Sequence, residues 1–144
     1  MKIKRIEPWI FLFFGAFHLH RIWGLFDRQS YAAFWLGIMS DKGPLYFLLM
    51  GILSALCIAG IVIFLTNLHA NPWWRWIYPL CGGYLLFDLF AIATGWSFWH
   101  SIIESMFDIS VPHWNMIWGG FVLLGCASAL LGMTLLRQRA ISKG

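Results

Sequence analysis

Leu45 to Leu68 reads LYFLLMGILSALCIAGIVIFLTNL, twenty-four residues without a charged side chain. About 20 mostly apolar residues in helix cross a bilayer core, so this run is long enough to span, and it decides the fold class. Three other stretches have the same character. They run from about Pro8 to Phe26, from Trp76 to Trp99 with one charge at Asp88, and from Trp114 to Leu136 with none. Barrel strands would be about 10 residues long with strict alternation, and these runs are continuous. A helix also satisfies its own backbone hydrogen bonds in lipid. The expectation is an all-α polytopic membrane protein: one domain over residues 1–144, a bundle of four transmembrane helices at about 8–26, 45–68, 76–99 and 114–136.

Composition agrees with that class. Hydrophobic residues make up 60% of the 144 residues and charged ones 11%, against about 45–50% and about 25% in soluble domains. There are too few charged side chains to cover a water-facing surface, which excludes a disordered chain and an ordinary cytosolic enzyme. Three cysteines, Cys57, Cys81 and Cys126, all fall inside the apolar runs without a Cys-x-x-Cys pair, so they read as small apolar residues rather than a disulfide framework. Lys2, Lys4 and Arg5 precede an apolar run as in a signal peptide. His18, Leu19, His20 and Arg21 follow in place of a small-residue cleavage site, so the run reads as a retained helix.

Basic residues set the expected orientation. Lys2, Lys4, Arg5, Arg75, Arg137, Arg139 and Lys143 put seven of the ten Lys and Arg on one side, while Asp27, Asp41, Glu104 and Asp108 lie on the other. Both termini are expected to be cytoplasmic, in a plasma or inner membrane. The net charge of +4 is then a topology signal with weak attraction to anionic lipid, and without a basic helix or repeat it implies no nucleic acid. Tryptophans fall where helices should end. Trp9, Trp73, Trp74 and Trp76 mark one side and Trp23, Trp96, Trp99 and Trp114 the other, as aromatic belts do.

The outer loops are expected to hold interfacial segments at about 31–39 and 100–110. Tyr31 to Met39 is apolar but too short to span. Between His100 and His113, Ile102, Ile103, Met106 and Phe107 share one side and His100, Glu104 and Asp108 another. That is the pattern of an interfacial amphipathic helix ended by Pro112. Small residues at four-residue spacing, Gly51, Ala55 and Ala59 in the second span and Gly125 and Ala129 with Ser128 and Gly132 in the fourth, allow close helix packing, within the bundle or between copies.

Ionisable groups inside a membrane are costly and imply function by default. The first span holds His18, His20 and Arg21, and the third holds Asp88. Trp9 to Arg21 and Trp76 to Asp88 are both twelve residues, roughly 18 Å of helix rise from the same face. Arg21 and Asp88 are therefore expected to face each other or share a polar cavity. His18 is three residues from Arg21 and on the same helix face; His20 points about 200° away from it. Cys81, Tyr84, Asp88, Gly95 and Trp99 follow helical steps and form one stripe of the third span. The expected ligand site is thus His18, Arg21, Tyr84, Asp88 and Trp99, binding or processing a lipid-like or amphipathic small molecule. Arg21 would take an anionic or carbonyl group, and Asp88 and His18 would orient it or carry a proton. The same groups could instead lock helix register, in an accessory subunit of a larger membrane complex or a homo-oligomer.

A further reading is a divalent-metal site in the outer loop. His100, Glu104 and Asp108 are successive i, i+4 neighbours with His113 nearby, ligand types suited to zinc or a similar ion. This is equally the wet face of an interfacial helix. A self-contained bis-His haem is not expected, since no second histidine matches the depth of His18 and His20; no other cofactor is implied. The late His of helix one followed by Phe26-Asp27-Arg28-Gln29 looks like the emopamil-binding and sigma-2-receptor-like sterol proteins over that short stretch. The acid that family's pocket would need in helix two is missing here, so no function is carried over from it.

Overall fold

The computed structural model describes residues 3–141. Among them are seven α-helices: α1 Glu7–Leu19, α2 Ile22–Phe26, α3 Arg28–Asp41, α4 Pro44–Leu65, α5 Gly83–Thr94, α6 Ser97–Met106 and α7 Trp114–Ile141. Between α4 and α5 lie 3-10 turns at Leu68–Ala70 and Trp73–Trp76 and a π-turn at Tyr78–Gly82. No strand occurs among the described residues. Four stretches are long and apolar enough to cross a membrane: Glu7–Phe26, Pro44–Leu65, Trp73–Thr94 and Trp114–Ile141. Lys2 and Lys143, part of the charge pattern above, lie outside the described residues.

The chain forms two compact units, one of residues 34–107 and one of residues 3–33 with 108–141. In the terminal unit, α1 lies along α7 on a seam without side chains to hold the helices apart. A Cβ on Gly15 would sit 2.9 Å from the Ala129 Cβ, one on Gly125 2.9 Å from the His18 Cβ, and one on Gly132 2.9 Å from the Pro8 carbonyl oxygen. The small residues of the fourth span thus serve packing inside this unit. Ser128 Oγ donates to the Phe11 carbonyl at 2.8 Å across the seam. Such interhelical hydrogen bonds contribute about 0.6 kcal/mol each in membranes.

Trp114, expected in an outer belt, is fully buried instead. Its Nε1 donates to the Gly24 carbonyl at 2.8 Å, and Tyr31 packs edge-on against both Trp114 and Trp118. An indole placed to satisfy a carbonyl where α2 ends faces the protein interior. The 31–39 segment is part of the longer α3, started by Asp27, whose Oδ1 accepts from the Ser30 backbone N–H at 3.0 Å in an N-cap arrangement.

In the central unit the buried face of α4 is Leu53, Cys57, Gly60 and Phe64. Gly51 and Ala55 are exposed. The small-residue face expected to pack is therefore not the one used here, and the reason is Tyr78. Its ring lies against Gly60, where a Cβ would come within 2.7 Å of Cδ1. Trp74, read as a belt residue, and Arg75, read as a loop charge, are both buried, at 4% and 2% exposure. Arg75 Nη1 donates to Asn71 Oδ1 at 3.4 Å and its guanidinium lies 5.3 Å from the Trp74 ring centroid. Asn71 Nδ2 in turn donates to the Phe64 carbonyl at 2.8 Å, which also accepts the Asn67 N–H at 3.1 Å where α4 ends.

The third span begins at Trp73 and ends at Thr94, not at 76 and 99. Pro79 has no N–H to give to an i−4 carbonyl, and the wider Tyr78–Gly82 turn surrounds it. At the other end Gly95 is left-handed, with φ 67° and ψ 32°. Trp96 N–H closes back on the Ala91 carbonyl at 3.1 Å, as in a glycine-terminated helix end.

Candidate functional site

Two polar centres are built on ionisable residues of the spans, one in each unit. In the terminal unit the first span is interrupted where its charge falls. α1 stops at Leu19, α2 starts at Ile22, and His20–Arg21 form a turn. Arg21, Trp23 and Gly24 donate their backbone N–H groups to carbonyls three residues back, those of His18, His20 and Arg21. His20 Nδ1 pairs with the Phe17 carbonyl. A tightened turn inside a helix is a recognised mark of strain or of a functional hinge.

The Arg21 guanidinium lies 4.2 Å from the ring centroid of Phe121, 5.4 Å from Trp118 and 5.5 Å from Phe17. Each such contact is worth about 0.5–2 kcal/mol depending on desolvation. The His18 ring is parallel to Phe121 within 3°, with centroids 5.7 Å apart. His18 and Arg21 thus meet at one aromatic side chain, as their three-residue spacing leads one to expect. His18 Nδ1 is buried and has no hydrogen-bond partner among the described residues. His20 lies elsewhere, with its ring 5.9 Å from that of Tyr31. Phe121 and Trp118 were not anticipated from sequence. The usable signal was Trp118 itself, four residues inside an apolar run and therefore misplaced for a belt.

In the central unit Trp99 Nε1 donates to Asp88 Oδ1 at 2.5 Å. Trp99 belongs to α6 rather than to the helix of Asp88; the turn at Gly95 carries it back. Its ring is edge-on to Phe87 at 5.0 Å and to Tyr84 at 6.4 Å. Tyr84, Asp88 and Trp99 are therefore gathered, but by a helix reversal and not by a continuous stripe. Gly95 serves as the stop, and Cys81 is exposed within the π-turn. A carboxylate among apolar rings is stable only with donors, and the indole N–H supplies one.

The outer-loop candidates are used locally. α6 ends at Met106, well before Pro112, because the Asp108 carboxylate draws the chain into a turn of its own. Asp108 Oδ1 accepts from Ser110 Oγ at 2.7 Å and from the Ser110 N–H at 2.9 Å. The Ser110 hydroxyl, then its N–H, hold the Asp108 carboxyl below its ordinary pKa. The Ser30 N–H and hydroxyl do the same for Asp27. His100 Nε2 lies 3.3 Å from Glu104 Oε1, and the His113 carbonyl accepts the Met116 and Ile117 N–H groups at the start of α7. Among the described residues no three His, Cys, Asp or Glu side chains are placed to hold a metal ion.

Glu7 was also missed. It is fully buried at the start of α1, and its Oε2 accepts from the Lys4 backbone N–H at 2.5 Å. The signal was an acid immediately before Pro8, where a helix N-terminus favours negative charge.

No protein-family model, curated protein sequence or solved structure matches the chain.

Proposed function

We propose that the chain is an integral membrane protein that binds or processes a lipid-like or amphipathic small molecule at polar groups within its spans. His18 and Arg21 form one centre of this chemistry and Tyr84, Asp88 and Trp99 the other. The reading rests on one observation above the rest, an arginine within a candidate span whose guanidinium lies 4.2 Å from the Phe121 ring beside a histidine on the same ring. A guanidinium carries its N–H groups in one plane as a fork, a geometry suited to a carboxylate, phosphate or carbonyl oxygen. His18 adds a second polar atom, and the aromatic side chains supply the apolar wall usual in small-molecule sites.

The charge pattern puts the N-terminal basic cluster and Arg137 and Arg139 on the cytoplasmic side. Membrane lipids are the surroundings from which such a ligand would enter. The test is extraction and mass spectrometry of what co-purifies with the protein and with Arg21→Gln. A small amphiphile enriched with the former and absent from the latter supports the reading; identical extracts contradict it.

A second reading is an accessory subunit of a larger membrane complex or a homo-oligomer. The exposed Gly51–Ala55 face of α4 favours it, since small residues admit a second helix closely. Purification in mild detergent as a single species at the mass of one chain would count against it.

A further inference from the structure

A cavity of about 580 Å³ opens in the central unit where α3 and the end of α5 meet α6. Leu36, Met39 and Ile92 supply apolar walls, and Lys42, His100 and Glu104 bring three ionisable side chains to the same space. None of these belongs to the two polar centres above. The cavity sits immediately past the end of one candidate span, Trp73–Thr94, and just before the start of another, Pro44–Leu65. It therefore lies at the level where a bilayer presents its headgroups, and its volume falls within the usual range for small-molecule sites, about 300–1,000 Å³.

We infer that this cavity binds a phosphate ester carrying a primary ammonium group, the chemistry of an aminoethyl phospholipid headgroup. Lys42 presents a cation to the phosphate. It holds a left-handed backbone, φ 46°, which is strained for a residue with a Cβ; a glycine would sit there without strain but would bring no charge. Glu104 presents a carboxylate to the ammonium. His100 steadies that carboxylate, with its Nε2 3.3 Å from Glu104 Oε1. A primary ammonium has three N–H donors to give to the carboxylate. A trimethylammonium group has none, and a glycerol headgroup brings no cation to Glu104.

The experiment is lipid titration of delipidated full-length protein, read by native mass spectrometry, with dioleoyl phosphatidylethanolamine, phosphatidylcholine and phosphatidylglycerol as separate probes. Phosphatidylethanolamine is expected to be retained about tenfold more strongly than the other two, the value of one charge-assisted hydrogen bond. Glu104→Gln is expected to bring it down to the phosphatidylcholine level, and Lys42→Gly to weaken retention of all three lipids about tenfold. Lys42→Gly should melt no lower than the parent, so its effect is not one of unfolding. Addition of O-phosphoethanolamine separates the two sources of the chemistry: displacement of the lipid at comparable concentration assigns the site to a water-soluble ligand, and no displacement assigns it to the membrane lipid. Equal retention of all three lipids, or unchanged phosphatidylethanolamine retention in both variants, would overturn the inference.

Discussion

The indole N–H of Trp99 meets the carboxylate of Asp88 at 2.5 Å across a helix end, eleven residues further along the chain. Two features make this possible. Gly95 adopts a left-handed conformation that reverses the chain after Thr94, and the Trp99 ring then seats edge-on against Phe87. Trp99→Phe keeps an aromatic ring and removes the donor. It is predicted to destabilise the protein by about 0.5–1.5 kcal/mol, the net worth of one intramolecular hydrogen bond. Gly95→Ala forces a Cβ into the left-handed region, at about 1–2 kcal/mol, and should disturb the same contact. Thermal unfolding in detergent checks both; a Trp99→Phe variant as stable as the parent would show that the bond carries no weight.

The α1–α7 seam makes a sharper stability prediction, because backbone atoms, which cannot swing aside, are among the close neighbours of its glycines. A Cβ at Gly125 would stand 3.0 Å from the Leu19 nitrogen and 3.1 Å from the Gly15 oxygen. Gly125→Val is expected to cost about 1–3 kcal/mol by overpacking. At Gly120, on the same helix, a Cβ would meet nothing within 4 Å, so Gly120→Ala should leave the melting temperature unchanged or slightly raised. Equal effects at the two positions would mean that the helices do not approach at Gly125.

Asp27 and Asp108 give the pH dependence. Hydrogen bonds from Ser30 and Ser110 hold both carboxyls below their ordinary value, about 3.9 for aspartate. A depressed carboxyl contributes order that is fully present above the ordinary pKa and lost as pH falls through the lowered one. The Ser30 and Ser110 amide resonances are therefore expected to hold steady from neutral pH to about 4 and to shift only below the ordinary aspartate value. In Ser110→Ala the Asp108 midpoint should rise. Midpoints at or above the ordinary value in the parent would show that these turns are not formed.

Much of the architecture was legible because lipid leaves few choices. Continuous apolar runs such as Leu45–Leu68 must be helical, and four stretches of spanning length are present. The interruptions were harder to see. Bulky apolar residues resume after Gly95 and reach Trp99, so hydropathy alone runs through a helix end that the Thr94-Gly95 pair marks. Nothing in residue type announces the tightened turn at His20–Arg21; it depends on where α1 can follow α7. The shared face of His18 and Arg21 follows from their spacing, but their meeting with Phe121 depends on the register of the Gly15–Gly125 seam. Arg75 reads as a loop charge because burial by Trp74 and Asn71 is a tertiary fact that charge counting does not contain.

The most direct measurement is photolabelling of the reconstituted protein with a diazirine-bearing palmitate, followed by peptide mapping. The account predicts labelled α7 peptides around Trp118 and Phe121, competition by unlabelled palmitate, and about tenfold weaker labelling in Arg21→Gln, the worth of a charge-assisted hydrogen bond. Arg21→Lys, which keeps the charge but not the planar fork, should fall between. Labelling spread evenly over the lipid-facing helices, and the same in all three proteins, would contradict the claim that a ligand is held beside Arg21.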